Sequence, residues 1–331
     1  MNNTQYKYSL DRSSKKFLCS GCQKRTMVKY VDNDGKYLPE KYGRCDRQDN
    51  CQYHKNPYSD GYGKSDVSLY DSTFRPAPKQ VPKRIIKVDP KDLSSGLNIK
   101  NCNLYKYMRH KLDKSKYSDS HIISVLELFG VKPSDYKFYF GPDYKCPEGA
   151  TLLPLINQKG EINGGQVALF DMVTGSTIKK PKRHTRPLYQ IFRKNDPNTP
   201  EWAKTFHNKD EIKEGVDQFP CLYGVHQLAK SKLTKPVAIV EAPKTAIINT
   251  ILFPEFIWMA SSSKDMLKEK KIEPLKDRRI ILYPDQGPAY KDWLKKAKEF
   301  KKAGFCVLVS SVLEKVPQPL ASGSDIIDYV L

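Results

Sequence analysis

Four cysteines near the amino terminus are spaced as metal ligands: Cys19, Cys22, Cys45 and Cys51. The first two form a Cys-x-x-Cys pair, whose spacing lets two thiolates reach one ion, and soft sulfur ligands in a tetrahedral set select zinc. The second pair is looser, and His54 follows soon after Cys51. Either four cysteines or three cysteines with His54 can therefore complete the set. The alternative interpretation is a group of free cytosolic thiols.

The segment between the two cysteine pairs predicts a β-hairpin. Residues 27–31 alternate between apolar and polar types, 33–35 read Asn-Asp-Gly, and 36–38 resume the strand pattern. This layout is typical of a zinc ribbon, and too few apolar residues lie within 17–54 to fold it without the metal. Basic and aromatic side chains on its surface can bind nucleic acid. The alternative is a solvated surface with a few packing tyrosines. The basic candidates are Lys29, Arg44 and Arg47, and the rings include Tyr30, Tyr37, Tyr42 and Tyr53.

Four carboxylates in the last third of the chain follow predicted strands. Glu241 comes directly after an apolar run, Asp285 follows a second run, and Asp325 and Asp328 lie beyond the last one. The working site of a parallel sheet lies beyond the carboxyl ends of its strands, so we expect the four acids to converge. Their oxygens, those of Glu241, Asp285 and Asp325 above all, suit Mg²⁺ or Mn²⁺. Such an ion would offset the charge that develops during nucleotidyl transfer.

Each of these acids also has an ordinary structural interpretation. Glu241 precedes a helix, whose dipole favours a negative charge at that end. Asp325 can cap the last helix, and Asp285 can be a turn residue. The joint placement of the acids is what favours a site.

A basic stretch in the middle of the chain is a second candidate for contact with phosphates. It contains no acidic residue between 176 and 195, and aromatic and aliphatic residues are interleaved with its charges. Such a run is commonly a solvated loop, but the interleaving suggests that part of it is a strand with its charges on one side. The candidate residues are Lys179, Lys180, Lys182, Arg183, Arg186 and Arg193.

The pattern of predicted helices and strands that position these residues indicates an α/β protein. The chain as a whole is predicted to be α+β. Residues 97–130 have helical spacing, and strand-like runs follow at 137–140, 151–156 and 165–170. From 235 onwards, apolar strands alternate with amphipathic helices, which predicts a parallel sheet covered on both faces. These strands are expected at 237–240, 256–260, 279–283 and 306–309.

Composition and charge limit the class of protein. The 57 Lys and Arg residues against 37 Asp and Glu leave a net charge of +20, which favours an anionic partner such as nucleic acid. No apolar run approaches the length that crosses a bilayer, and the first residues do not resemble a signal peptide. We therefore expect no membrane contact and a cytoplasmic location. Closely spaced prolines predict an extended tether between the ribbon and the rest.

The acidic segments resemble the three motifs of the Toprim domain of bacterial and phage-type primases. Glu241 after an apolar strand, Tyr-Pro-Asp285 after another, and the later Asp325-x-x-Asp328 match in order. Residues 151–160 resemble the hairpin that opens the primase core, and 219–226, with its Leu-Tyr-Gly, resembles the segment before the Toprim strand. The order of these motifs resembles that of primase-like proteins of plasmids, phages and conjugative elements. The resemblance implies four regions: a zinc ribbon (1–58), a flexible linker (59–95), an amino-terminal subdomain of the primase core (96–233) and a Toprim domain (234–331).

The resemblance also implies residue roles and exposes departures from the family pattern. Glu241 would be a metal ligand or act in proton transfer, Asp285 would be the first acid of the Asp-x-Asp motif, and Lys244 would contact phosphate or offset charge. Gly287 stands where the second acid is expected, and Ala242 stands where glycine usually follows the glutamate. The third acidic motif has one residue of extra spacing.

Two functions fit these features. The first is a DNA primase that binds single-stranded DNA and ribonucleoside triphosphates, uses structural Zn²⁺ with catalytic Mg²⁺ or Mn²⁺, and works with a replicative helicase. The second is a catalytically degenerate DNA-binding protein that serves replication or mobilisation of a mobile element, which Gly287 favours. A Toprim nuclease or topoisomerase fits less well because the ribbon comes first in the chain.

Overall fold

The computed structural model of the protein describes residues 7–47, 50–59, 62, 83–93, 96–134, 148–179, 183–316 and 323–331. The chain divides into two compact units, one up to residue 79 and one from residue 80 onwards. The predicted strand at 137–140, most of the predicted linker, and two of the basic candidates (Lys180 and Lys182) lie outside the described residues. None of the helices in the described ranges is both long and apolar enough to cross a membrane.

The first unit is built around one antiparallel sheet. The strand β3 is central, because β1, β2 and β4 all pair with it, and β5 pairs with β4. The predicted hairpin is present: the main chain of Asp32 bonds to that of Lys36, and Leu38 bonds to Tyr30. The strands are β1 (Ser9–Leu10), β2 (Phe17–Leu18), β3 (Arg25–Val31), β4 (Gly43–Cys45) and β5 (His54–Lys55).

Two tyrosines of the first unit, Tyr30 and Tyr42, are core residues, as the alternative interpretation of packing tyrosines expected. Tyr30 and Tyr42 are buried and pack with Tyr8 and Leu38 in a small core of their own. Because the metal-binding corner contributes few apolar side chains, these rings supply most of the apolar burial on this side of the sheet. They therefore stabilise the module and are unavailable for stacking on bases.

The second unit begins with two helices and an antiparallel sheet of four strands in the order β6-β7-β8-β9. Apolar residues at helical spacing bury one face of each helix, including Leu104, Met108, Ile122 and Leu126. Ser118 caps the second helix by accepting a hydrogen bond from the His121 N–H. The elements are α1 (Asn103–Lys111), α2 (Asp119–Leu128), β6 (Lys132–Pro133), β7 (Thr151–Ile156), β8 (Ile162–Ala168) and β9 (Thr185–Pro187), followed by α3 (Glu201–His207) and α4 (Lys209–Glu214).

Residues 83–93 pack against this antiparallel sheet, although the predicted linker runs to residue 95. Val88 and Leu93 are buried, the main chain of Val88 bonds to Ile162, and Asp92 accepts a hydrogen bond from the Trp202 indole. The closely spaced prolines end at Pro82, and apolar residues that follow, such as Val88 and Leu93, pack into the core beside this sheet. The second unit therefore includes these residues, and a tether between the two units would end before them.

The carboxyl-terminal part of the second unit is a parallel sheet in the order β11-β10-β12-β13. Alternate residues of β10 face opposite cores: Ala238 and Val240 pack with α5, while Val237 and Ile239 pack with α7. The predicted α/β class, with helices on both faces of this sheet, is confirmed. The elements are β10 (Val237–Val240), α5 (Pro243–Leu252), β11 (Ile257–Ala260), α6 (Glu269–Ile272), β12 (Ile280–Leu282), α7 (Pro288–Lys302), β13 (Val307–Val309) and α8 (Ile326–Val330).

Candidate functional site

The four predicted cysteine ligands lie together in the first unit. The Sγ atoms of Cys19, Cys22, Cys45 and Cys51 all lie within 4.8 Å of one another. Each knuckle turns through a glutamine of positive φ, since Gln23 (φ 53°) follows Cys22 and Gln52 (φ 55°) follows Cys51. The Lys24 N–H and neighbouring donors lower the pKa of Cys22 to about 6 despite its desolvation. A thiolate held in this way is the form that binds zinc, and the four clustered cysteines support a structural zinc site.

His54 takes no part in this cluster. Its Nε2 atom lies 2.9 Å from the Tyr30 hydroxyl, and the two rings are stacked with an interplanar angle of 1°. The geometry therefore favours the set of four cysteines over the set of three cysteines with His54.

The predicted acids of the second unit line one cleft of about 350 Å³, which we call the acidic cleft. Its acidic wall comes from the parallel sheet, and its opposite wall comes from β7, β8, β9 and the loop before β9. The acidic wall includes Glu241, Asp285, Asp325, Asp328 and Lys244, and the opposite wall includes Gln166, Thr177, Arg183 and Thr185.

Sheet topology explains why Glu241 and Asp285 meet. Glu241 follows β10 and Asp285 lies just beyond β12, and these two strands are parallel neighbours. The Tyr283 N–H donates to the Ile239 carbonyl, which continues the pairing one residue past β12. After β10 the chain crosses to β11 on one side, and β12 then lies on the other side, so the acids stand where the strand order reverses. This is the position at which open α/β sheets bind ligands.

The third acidic segment is fixed to the second by main-chain hydrogen bonds. The Gln286 N–H donates to the Ser324 carbonyl (2.9 Å), and the Gly323 N–H donates to the Gln286 carbonyl (3.1 Å). Asp325 then begins α8 with a capping box: its carboxylate accepts from Ile327 and Asp328, and the Asp328 carboxylate accepts from the Asp325 N–H. The structural interpretation of Asp325 as a helix cap is therefore correct, and the residue also lines the acidic cleft.

The electrostatics of the acidic cleft are those of crowded, partly buried carboxylates. Burial raises the pKa of Asp285 to about 8, and the charges of Glu241, Asp325 and Asp328 add to this effect, while Lys244 opposes it. Burial also raises the pKa of Glu241, which nearby N–H groups of Asp285 and Lys264 partly offset. Within the described ranges, the Glu241 Oε1 atom is buried and has no hydrogen-bond partner. A divalent cation would satisfy that atom and neutralise the crowded charge, so these residues fit the ion that the resemblance implies.

Lys244 points across the acidic cleft. Its Nζ atom donates to the Gly175 carbonyl (3.2 Å) and lies 5.6 Å from the centre of the Tyr107 ring. Gly175 has φ +67°, and a Cβ atom there would lie 2.4 Å from the Tyr107 ring, so only glycine fits. Lys244 therefore ties the start of α5 to the turn before β9.

The basic candidates are distributed differently from the acids. Arg183 is exposed and lines the acidic cleft, Arg186 lies on β9, and Lys179 and Arg193 are exposed in the segments on either side. In the first unit, the Lys29 side chain is only 12% exposed, lying 4.7 Å from the centre of the Phe17 ring and 4.0 Å from Glu40. Arg44 and Arg47 are half-buried beside the cysteines. Of the described basic candidates, Arg183 alone lines the acidic cleft.

Sequence reasoning missed three groups at this site. Thr245 is fully buried and its hydroxyl donates to the Asp325 carboxylate, and Gln166 lines the opposite wall. A polar residue within an otherwise apolar helix or strand pattern was the available signal for both. Ser262 also lines the acidic cleft and has φ +70°, which its sequence neighbours do not predict.

Two protein families match parts of the chain. Residues 6–66 match the family described as "Zinc beta-ribbon finger", which confirms the predicted ribbon. Residues 101–286 match the family described as "Domain of unknown function (DUF6371)". No curated protein matches the sequence.

Several solved structures are similar to this chain at low sequence identity. The primase fragment of the bacteriophage T7 primase-helicase protein is 12% identical, with a TM-score of 0.38 over 95% of this chain and 93% of that one. The zinc-binding and RNA polymerase domains of the Aquifex aeolicus primase are 11% identical, with a TM-score of 0.38 over 97% and 77%. A DNA primase domain from Pseudomonas aeruginosa is 13% identical, with a TM-score of 0.33 over 62% of this chain and 53% of that one.

The match to residues 101–286 covers more than half of the sequence and includes both Glu241 and Asp285. The chain therefore belongs to the family described as "Domain of unknown function (DUF6371)".

Proposed function

We propose that this protein is a primase-like nucleotidyltransferase that binds single-stranded DNA and joins ribonucleotides into short primers. The observation that carries the proposal is the placement of Glu241 and Asp285 at the ends of neighbouring parallel strands, in a cleft whose opposite wall presents Arg183. The Toprim-like order of the acidic segments in the sequence supports the same assignment. A divalent cation on one wall and a guanidinium on the other would suit a nucleoside triphosphate.

The residues of the acidic cleft have distinct roles in this proposal. Glu241, Asp285 and Asp325 are the candidate ligands of Mg²⁺ or Mn²⁺, which when bound would offset negative charge on the reacting phosphates. Arg183 would pair with phosphate oxygens, and Gln166 and Thr185 would offer hydrogen bonds to the nucleotide. In the reaction, a 3'-hydroxyl attacks the α-phosphorus in line, its proton passes to a base, and pyrophosphate leaves. The protein contributes positioning and charge neutralisation.

The zinc ribbon would hold the template strand, and a replicative helicase remains an expected partner. The basic side chains available for this in the first unit are fewer than the sequence indicated, because Lys29 is mostly buried against Phe17. We propose that Arg44, Arg47 and the exposed cations around them supply the phosphate contacts. The cytoplasmic location stays a prediction.

Primer synthesis by the full-length, zinc-loaded protein tests the proposal. We expect Mg²⁺- or Mn²⁺-dependent incorporation of labelled ribonucleotides on a single-stranded template, and a loss of about 100-fold or more in Glu241→Gln. Glu299→Gln is the matched control, because Glu299 is exposed on α7, outside the acidic cleft. Absence of product with both metals would reject the proposal.

Gly287 favours a second candidate, a DNA-binding protein without catalysis. An acid is missing where the resemblance expects one. This candidate predicts tight, salt-sensitive binding to single strands that survives Asp285→Ala and needs no divalent ion. Binding of that kind, together with no primer synthesis, would support it over the primase.

A further inference from the structure

The four acids of the acidic cleft fall into two groups according to what their oxygens already contact. We propose that the nucleotide-free cleft binds one divalent cation, held by Glu241 and Asp285, and that Asp325 anchors the third acidic segment without being a ligand. This inference rests on the metal site of the proposed function and narrows its three candidate ligands to two, Glu241 and Asp285. It differs from a site in which all the acids share the metal.

Asp325 has few acceptor positions left for a metal. Its Oδ1 atom accepts from the N–H groups of Ile327 (2.8 Å) and Asp328 (3.3 Å), and its Oδ2 atom accepts from the Thr245 hydroxyl. A carboxylate offers about four lone-pair positions in total, so three of them are in use. Thr245 is fully buried, so breaking its bond to reach a metal would leave a buried polar group unpaired.

Asp328 is held less tightly, but it lies at the exposed edge. Its Oδ2 atom accepts from the Asp325 N–H at 3.0 Å, which closes the capping box. The residue is solvent-exposed, where water competes with a metal for its free oxygen. Asp328 therefore contributes negative charge to the acidic cleft and is not expected to be a metal ligand.

The backbone conformation at residue 287, where the second acid is missing, disfavours any residue other than glycine. Gly287 has φ 97° and ψ −127°, a conformation that residues with a Cβ atom avoid, and it stands immediately before α7. Its N–H donates to the Glu314 carboxylate at 2.9 Å. Glu314 is thereby committed to the start of α7, and no side chain of residue 287 enters the cleft.

Glu241 and Asp285 are the acids that remain available. The Oε1 atom of Glu241 is buried without a hydrogen-bond partner, and among the described residues no hydrogen bond to the Asp285 carboxylate is present. They follow neighbouring strands, so one ion can contact both. Protein-bound Mg²⁺ commonly uses one or two carboxylates and keeps several waters, which substrate phosphates then replace. Two free carboxylates therefore match one ion.

Titration of the zinc-loaded full chain, freed of other divalent ions and of nucleotide, with Mn²⁺, followed by electron paramagnetic resonance, tests this inference. We expect one tightly bound Mn²⁺ per chain, with its affinity reduced by about 100-fold or more in Glu241→Gln and Asp285→Asn, and by about tenfold or less in Asp325→Asn. Asparagine can still cap α8 through its side-chain oxygen, so the last variant should fold. Thr245→Ser should bind Mn²⁺ as the wild type does.

Two tight Mn²⁺ ions per chain, no bound ion, or an Asp325→Asn variant that is folded yet loses the ion as completely as Asp285→Asn would overturn the inference. Circular dichroism and zinc content establish that each variant is folded. The outcome is separable from that of the proposed function: two ions with primer synthesis would refute only the inference, and one ion without primer synthesis would refute only the function.

Discussion

The hydroxyl of Thr245 donates a hydrogen bond to the carboxylate of Asp325, 80 residues later in the chain. Thr245 lies in the first turn of α5, the helix that follows β10 and Glu241, and Asp325 is the cap at the start of the last helix. This bond therefore joins the first acidic segment to the third, while Gln286 joins the second to the third through its main chain. Together these contacts hold three distant segments at one edge of the sheet.

Thr245→Val should destabilise the second unit. The valine keeps the shape of threonine but leaves the partly buried Asp325 carboxylate without its donor, which costs about 1–3 kcal/mol in the free energy of unfolding. Denaturant unfolding measures the change. Thr250→Val on the same helix is the control, because the Thr250 hydroxyl bonds to the carbonyl of Ala246 in its own helix. Equal losses in the two variants would show that the Thr245 contact has no special importance.

Asp285→Asn should stabilise the protein in the absence of divalent ions, and the gain should grow with pH. The folded-state pKa of Asp285 is about 8, above the value of about 3.9 for an unfolded aspartate. The folded state therefore holds the proton more tightly, so wild-type stability falls relative to the variant as pH rises from about 4 to about 8.

Allowing for solvent screening of this half-buried group, we expect Asp285→Asn to gain about 1–3 kcal/mol at pH 8.5 and little at pH 4. Denaturant unfolding at the two pH values, in the presence of a chelator, measures it. Asp277→Asn is the control because Asp277 is exposed. A gain that is independent of pH would contradict the crowding of charge at Asp285.

His54→Ala should retain one zinc ion per chain, whereas Cys51→Ser should lose it. The Sγ atom of Cys51 lies within the cluster, while the His54 ring is bonded to Tyr30. Zinc content by elemental analysis measures both variants. If His54→Ala released the metal and Cys51→Ser kept it, the set of three cysteines with His54 would be correct instead.

Gly287→Asp, which restores the acid expected from the resemblance, should destabilise the protein instead of improving it. The positive φ of residue 287 and its ψ of −127° would cost an aspartate about 1–3 kcal/mol. Gly96→Asp is the matched control, because Gly96 does not have positive φ and nothing lies within 4 Å of its Cβ position. Higher Mn²⁺ capacity in a stable Gly287→Asp variant would contradict the account of the backbone at this position.

Arg183→Glu should weaken binding to single-stranded DNA and reduce the salt dependence of that binding. Removing one side chain that neutralises a phosphate lowers the slope of log affinity against log salt by about 0.7 for a single strand. Fluorescence anisotropy at several salt concentrations measures it, with Lys298→Glu on the exposed face of α7 as the control. The same slope in both variants would indicate that Arg183 is only a solvated loop residue.

The elements that follow strong apolar patterns were predictable. The runs at 237–240 and 151–156 appear as β10 and β7 with the same bounds, because short runs of mostly apolar residues between turn signals leave few alternatives. The proximity of Glu241 and Asp285 also followed from the sequence, since parallel strands place their carboxyl ends at one edge.

The unpredicted features depend on contacts between distant residues. Nothing in the local sequence indicates that Thr245 meets Asp325, that Lys244 reaches Gly175, or that Gly287 faces Glu314. The charge of Lys29 suggested an exposed contact with nucleic acid, but its side chain lies against the Phe17 ring and is mostly buried. The apolar stem of a lysine can pack on an aromatic ring in this way.

A crystal structure of the protein soaked with Mn²⁺ and a ribonucleoside triphosphate tests the central claim most directly, because manganese gives an anomalous signal. The account predicts a manganese peak in the acidic cleft within coordination distance of carboxylate oxygens of both Glu241 and Asp285, with the triphosphate between that ion and Arg183. A nucleotide bound elsewhere, with no metal between these two carboxylates, would contradict it.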